Sequence, residues 1–120
     1  MEKKNIDWSS IGFAYMPTDY RYVSNFKDGK WDEGTLSTDP NIVLNECAGV
    51  LQYSQSVFEG LKAYTTEDGH IVTFRPDLNA ERMAASAARL EMPVFPKERF
   101  IDAVEQVVKA NAAWVPPYGS

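Results

Sequence analysis

Arg82 is the side chain best placed for chemistry in this 120-residue sequence. It falls one to two turns into a helix predicted to follow a strand. A guanidinium there can send two parallel hydrogen bonds to a phosphate or a carboxylate. The plainer assignment is a surface arginine paired with Glu81 or Asp77, and pattern alone favours it. Glu59 stands inside Ser56-Val57-Phe58-Glu59-Gly60. Buried, it would need a partner; facing outward from a strand it would need none, and that is the simpler assignment. Tyr53 and Phe58 can line an apolar pocket, although aromatics at such positions are more often core. His70, the one histidine, lies beside Asp68-Gly69 and reads as an exposed turn residue rather than a general base. Cys47 has no second cysteine to pair with and no Cys or His neighbour at metal-ligand spacing, so no metal site is expected. No nucleophile elbow and no phosphate-cradling glycine loop is present.

The elements that must position these residues are legible from pattern. Tyr20 to Phe26 alternates aromatics as a strand does, and Asp28-Gly29 is a hairpin turn signal. Ser37 to Asn41 reads as a loop, and Asn45 to Gln52 as a short helix. A second hairpin is expected, with Phe58 to Thr65 as one arm, Asp68-Gly69 as the turn and Ile71 to Phe74 as the return. Pro76 suits the start of a helix and should hold Arg75 extended, while Asp77 can cap that helix or favour its positive end. Leu78, Ala80, Met83, Ala84, Ala87 and Leu90 repeat at helical spacing over 77–91, which places Arg82, Ser86 and Arg89 on another face. Met92-Pro93 ends that run. A second helix over 97–114 carries Phe100, Ile101, Val104, Val107, Val108 and Trp114 on one stripe. Strands first and helices later imply an α+β domain, an antiparallel sheet with helices packed on one face.

Composition narrows the class of partner. Hydrophobic residues are 44% and charged residues 24%, with six Phe, six Tyr and three Trp, as in a folded domain and unlike a disordered chain. A net charge of −5 disfavours nucleic acid or an anionic membrane as main partner. The first residues lack the apolar stretch of a signal peptide, no stretch is apolar enough to span a bilayer, and cysteine use fits the cytoplasm. The run Pro116-Pro117-Tyr118-Gly119-Ser120 is a loop, from which a longer protein is expected.

Three linked segments carry a resemblance. They are Leu51 to Tyr64, Phe74-Arg75-Pro76-Asp77-Leu78-Asn79-Ala80-Glu81-Arg82-Met83, and Arg89-Leu90-Glu91-Met92-Pro93. In order and spacing they resemble the small N-terminal domain of branched-chain amino acid aminotransferases, pyridoxal 5′-phosphate enzymes of fold type IV. Phe13 to Tyr22 and Leu36 to Pro40 resemble the same family, so the likeness covers nearly the whole chain. The resemblance implies that Arg82 holds the phosphate of pyridoxal 5′-phosphate. It implies that Tyr53, Phe58 and Phe13 line the pocket for the substrate side chain, and that Gly60 allows close approach by having no side chain. Glu59 is taken as structural. The whole of 1–120 is then one small domain. The lysine that carries the cofactor and the carboxylate on its pyridine nitrogen are expected in a larger C-terminal domain outside it, so no catalytic residue is assigned here and the chain alone is expected to be inactive. Implied partners are leucine, isoleucine, valine, glutamate and 2-oxo acids, that C-terminal domain, and a second copy in a homodimer. A D-amino acid aminotransferase or aminodeoxychorismate lyase of the same fold type is an alternative, and a non-catalytic binding domain on the same scaffold is another. Two departures are visible: Ser54 stands where many members carry glycine, and Thr65-Thr66 replaces a basic, glycine-rich turn entry.

Overall fold

Two Asp-Gly dipeptides turn the chain back on itself where the sequence placed hairpins. In the computed structural model, which describes residues 2–120, Asp28 (φ 54°) and Gly29 (φ 80°) join β2 (Phe26–Lys27) to β3 (Lys30–Trp31). Positive φ at both central residues gives the turn whose twist matches the flanking strands. The second hairpin pairs β5 (Ala63–Thr65) with β6 (Ile71–Thr73), Tyr64 opposite Val72. Its loop closes through Thr66 N–H donating to the His70 carbonyl (2.7 Å) and Gly69 N–H to the Thr66 carbonyl (3.0 Å), with Gly69 at φ 90°. A third pair, β1 (Arg21–Val23) with β4 (Thr35–Ser37), encloses the first hairpin.

The class is α+β, but the strands form three separate two-stranded antiparallel ladders rather than one continuous sheet. Phe58 to Leu61 does not join β5. It lies in an irregular stretch, 54–62, after the one-turn helix α1 (Gly49–Gln52). Ser54 takes φ 53°, a left-handed conformation that glycine adopts without cost, which explains why glycine suits this position.

Helix α2 spans Pro76–Arg89 and α3 spans Lys97–Ala110. Proline at the first position and Asp77 in the first turn start α2, and its many alanines favour propagation. Arg75 departs from the expected extended geometry. It sits at φ 49°, ψ 57°, and its guanidinium reaches forward to Asp77 through Nε–Oδ1 (3.0 Å) and Nη2–Oδ2 (2.9 Å). Asp77 therefore spends its carboxylate on Arg75 and does not cap. At the other end Glu91 (φ 56°) is left-handed. Glu91 N–H donates to Ala88 O (3.1 Å) and Met92 N–H to Ala87 O (2.8 Å), satisfying the last carbonyls before Pro93.

The helices pack on each other, and α3 also lies on β1. Small side chains form the centre: Ala80, Ala87, Ala112 and Val115 are buried, with Asn79 beside them. The apolar stripe of α3 is only half-buried. Asn111 fastens the N-terminal segment to the end of α3, its Oδ1 accepting from Asp19 N–H (3.0 Å) and Tyr20 N–H (2.9 Å) while Nδ2 donates to Tyr20 O (2.8 Å). Trp31 bridges the first hairpin to the link between helices, with edge contacts to Phe26 and Phe95 and Nε1 donating to Val94 O (2.9 Å). No helix among the described residues is long and apolar enough to cross a membrane.

Candidate functional site

Helix α2 and the irregular stretch 54–62 meet through three side chains. Asn79 and Arg82 are three residues apart, so they project from the same side of α2. Asn79 is buried and divides its amide between two acceptors: Nδ2 donates to Glu59 Oε1 (2.8 Å) and to the Gly60 carbonyl (2.9 Å). Arg82 reaches the same carboxylate, Nε donating to Glu59 Oε2 (3.0 Å) and Nη2 to Glu59 Oε1. Glu59 is thus not the outward-facing strand residue of the simpler assignment. Its side chain is 11% exposed, in a non-strand segment, and it has two partners.

Electrostatics follow from this geometry. The Arg82 hydrogen bonds pull the Glu59 pKa down, helped by Asn79 and by the Arg82 charge and opposed by desolvation, to about 2 from 4.5. The carboxylate in turn raises the pKa of Arg82. Arg82 therefore pairs with Glu59, not with Glu81 or Asp77. Glu81 instead lies 4.0 Å from Lys97, and Asp77 is held by Arg75. The Arg82 side chain remains 64% exposed. A guanidinium has five N–H groups, and Glu59 engages only two of them. The remaining edge can receive an anion with oxygen acceptors, such as a phosphate. Ser86 and Arg89, on the same helix, are also exposed.

The aromatics assigned to a substrate wall do not enclose a space in this chain. Tyr53 is 86% exposed, Phe58 92%, and Phe13 is fully exposed. A Cβ at Gly60 would meet no atom within 4 Å, so its face is open. A cleft of about 800 Å³ lies by the C-terminal residues, lined among others by Ile11, Lys62, Tyr64, Trp114, Pro116 and Tyr118, and includes none of the four. His70 is an exposed turn residue, as expected, with Nδ1 2.9 Å from the Asp68 carboxylate. Sequence reasoning missed Asn79 altogether. Its signal was there: an amide three residues before Arg82, a poor helix former within an otherwise alanine-rich helix.

Comparison with known proteins points one way. No family model matches the chain. It is 53% identical over 117 residues to the branched-chain-amino-acid aminotransferase of Haemophilus influenzae, covering 98% of this chain and 34% of that protein. It is 43% identical over 117 residues to the enzyme of that name from Helicobacter pylori, covering 98% and 34%. A methionine aminotransferase of Arabidopsis thaliana is 46% identical over 116 residues, covering 96% and 33%. The chain spans about a third of the length of these curated relatives.

Proposed function

We propose that this chain, homologous along nearly its whole length to branched-chain-amino-acid aminotransferases, is the small domain of such an enzyme and acts at its cofactor and substrate site. In this reading the full protein exchanges the amino group between leucine, isoleucine or valine and 2-oxoglutarate. The observation that carries it is the Asn79–Glu59–Arg82 arrangement directly beside the exposed Phe58. The donor set fits pyridoxal 5′-phosphate: an exposed guanidinium with uncommitted N–H groups suits a dianionic phosphate. When bound, pyridoxal phosphate supplies the electron sink for amino-group transfer.

The residues of this chain then have separate tasks. Arg82 holds the phosphate. Phe58, Tyr53 and Phe13 exclude water from the substrate's aliphatic group, and burial of such a group contributes roughly 1.5–3 kcal/mol. Gly60 leaves room for the substrate or for a neighbouring chain. Large aromatics left this exposed, Tyr53 beside and Phe58 within the irregular stretch 54–62 and Phe13 elsewhere in the chain, are costly in water unless something covers them, and the remaining two thirds of the protein is their proposed cover. That remainder supplies the lysine that carries the cofactor and the carboxylate that pairs with its pyridine nitrogen. The protein is taken as a cytoplasmic homodimer. The methionine aminotransferase among the relatives favours one second reading, an unbranched apolar substrate against the same aromatic wall.

The test is a visible absorbance spectrum of the full-length protein with pyridoxal phosphate, before and after leucine. The expected result is a bound-cofactor band that shifts on adding leucine and returns with a 2-oxo acid. A spectrum of free cofactor, unmoved by leucine, contradicts the assignment, and a shift with methionine alone moves it to the second reading.

A further inference from the structure

We propose that Glu59 is the positioning residue of the phosphate clamp: it fixes one edge of the Arg82 guanidinium and so aims the other edge at the cofactor phosphate. The inference rests on the assignment of Arg82 above and goes beyond it by giving a task to a carboxylate beside an anion site.

Arginine has a long, flexible stem, and on an exposed helical face it samples many rotamers. An anion that binds it must restrict them, which weakens binding unless the restriction already exists. Here it exists. Glu59 engages Nε and Nη2 of Arg82, the two nitrogens of one edge. Glu59 is itself anchored, with its side chain largely buried and Oε1 accepting from Asn79 at 2.8 Å. Asn79 is buried on the same helix as Arg82 and ties down the next backbone carbonyl, Gly60, at 2.9 Å. The guanidinium is thus held at both ends, by its own backbone on α2 and by a carboxylate that α2 also holds. Planarity then fixes where the free Nη1 edge points.

A negative charge next to a phosphate site also repels the phosphate, so two effects of opposite sign meet at Glu59. The repulsion is offset by the Arg82 charge, which sits directly on the Glu59 carboxylate, and is screened by solvent on the exposed side of Arg82, whereas the geometric restraint is not. Restraint should therefore win, and removing Glu59 should weaken binding of the phosphorylated cofactor despite removing a like charge. Glutamine should be intermediate, because its oxygen can still accept from Arg82 while its NH₂ group faces the donor of Asn79.

The experiment titrates the full-length apoprotein with pyridoxal 5′-phosphate and, separately, with pyridoxal, which lacks the phosphate, and reads binding by tryptophan fluorescence. The ratio of the two dissociation constants measures phosphate preference alone. Arg82→Ala is expected to lower that preference by roughly tenfold or more, as for loss of charge-assisted hydrogen bonds. Glu59→Ala is expected to lower it by about three- to tenfold, with pyridoxal binding unchanged. Glu59→Gln should fall between wild type and Glu59→Ala, and it carries the test if the alanine variant does not fold. Unchanged or increased preference in the Glu59 variants, with loss in Arg82→Ala, overturns the positioning role and leaves the phosphate contact standing. Equal weakening of both cofactors by Glu59→Ala overturns it too, as the mark of a general brace. Unchanged preference in Arg82→Ala overturns both assignments together.

Discussion

The Glu59 carboxylate is ionised well below the usual range because Arg82 and Asn79 donate to it. A folded-state pKa depressed from 4.5 to about 2 gives a contribution to stability that is complete above 4.5 and is lost as pH falls toward 2. Glu59→Gln removes the titration. The stability deficit of that variant against wild type, followed by denaturant unfolding, should be steady near neutrality and shrink between pH 4.5 and about 2. A deficit that stays constant through that window would mean the ion pair does not persist in solution. The difference is the proper readout, because Asp7, Asp32, Asp39, Asp68 and Asp77 are also depressed by their own hydrogen bonds and shape the absolute acid response. At this scale the sequence singled out Arg82 as the best anion-site candidate, but the partners it offered for a plain surface arginine, Glu81 or Asp77, were the wrong carboxylates. Neighbours in sequence, Glu81 and Asp77, are what pattern can offer. The actual partner lies 23 positions away, and only the fold brings it there.

Elements were more legible than their pairing. Both Asp-Gly turns, the proline start of α2 and the Met92-Pro93 stop are local features and were read correctly, since each depends on a few adjacent residues. The separation of the strands into three ladders was not legible. It depends on irregular connections such as 54–62, whose order comes from side chains like Asn79 and Asn111 rather than from alternation. Gly34 gives a test of one such connection. It takes φ 76°, and a Cβ there would lie 2.1 Å from the Tyr22 hydroxyl and 2.5 Å from its Cζ. The Tyr22 hydroxyl donates to Glu33 O (3.1 Å), so the ring lies across the turn that leads into β4. Gly34→Ala combines a disfavoured backbone with overpacking and should destabilise by about 1–3 kcal/mol, read as a lower denaturant midpoint with the same slope. A neutral result would show that Tyr22 does not pack on the turn.

As a whole molecule, this chain buries little of itself. It exposes 9216 Å², where a compact monomer of 13.5 kDa should expose about 6,500 Å². Its radius of gyration is 16.0 Å, against about 14 Å for a compact chain of this length. Among the described residues no large side chain is fully buried, and Phe13, Tyr53, Phe58 and Phe74 stand in solvent. Composition had pointed to a folded domain, and it could not say which residues would be left open, because that depends on which surfaces the fold brings together. Residues 1–120 expressed alone should bind a hydrophobic dye, unfold with low cooperativity and show no leucine-dependent turnover. The full-length protein should bind much less dye per mole. Turnover by the isolated chain would place the essential chemistry inside it and contradict the division of labour proposed above.

A crystal structure of the full-length protein with pyridoxal 5′-phosphate bound would measure the decisive distance, from the Arg82 guanidinium to the cofactor phosphate. The expected result is a free N–H edge of Arg82 within hydrogen-bond reach of a phosphate oxygen, roughly 2.7–2.9 Å, with Glu59 still on the opposite edge and Tyr53 and Phe58 covered. A phosphate held entirely by other residues, with Arg82 turned away and Tyr53 and Phe58 still in solvent, would contradict it.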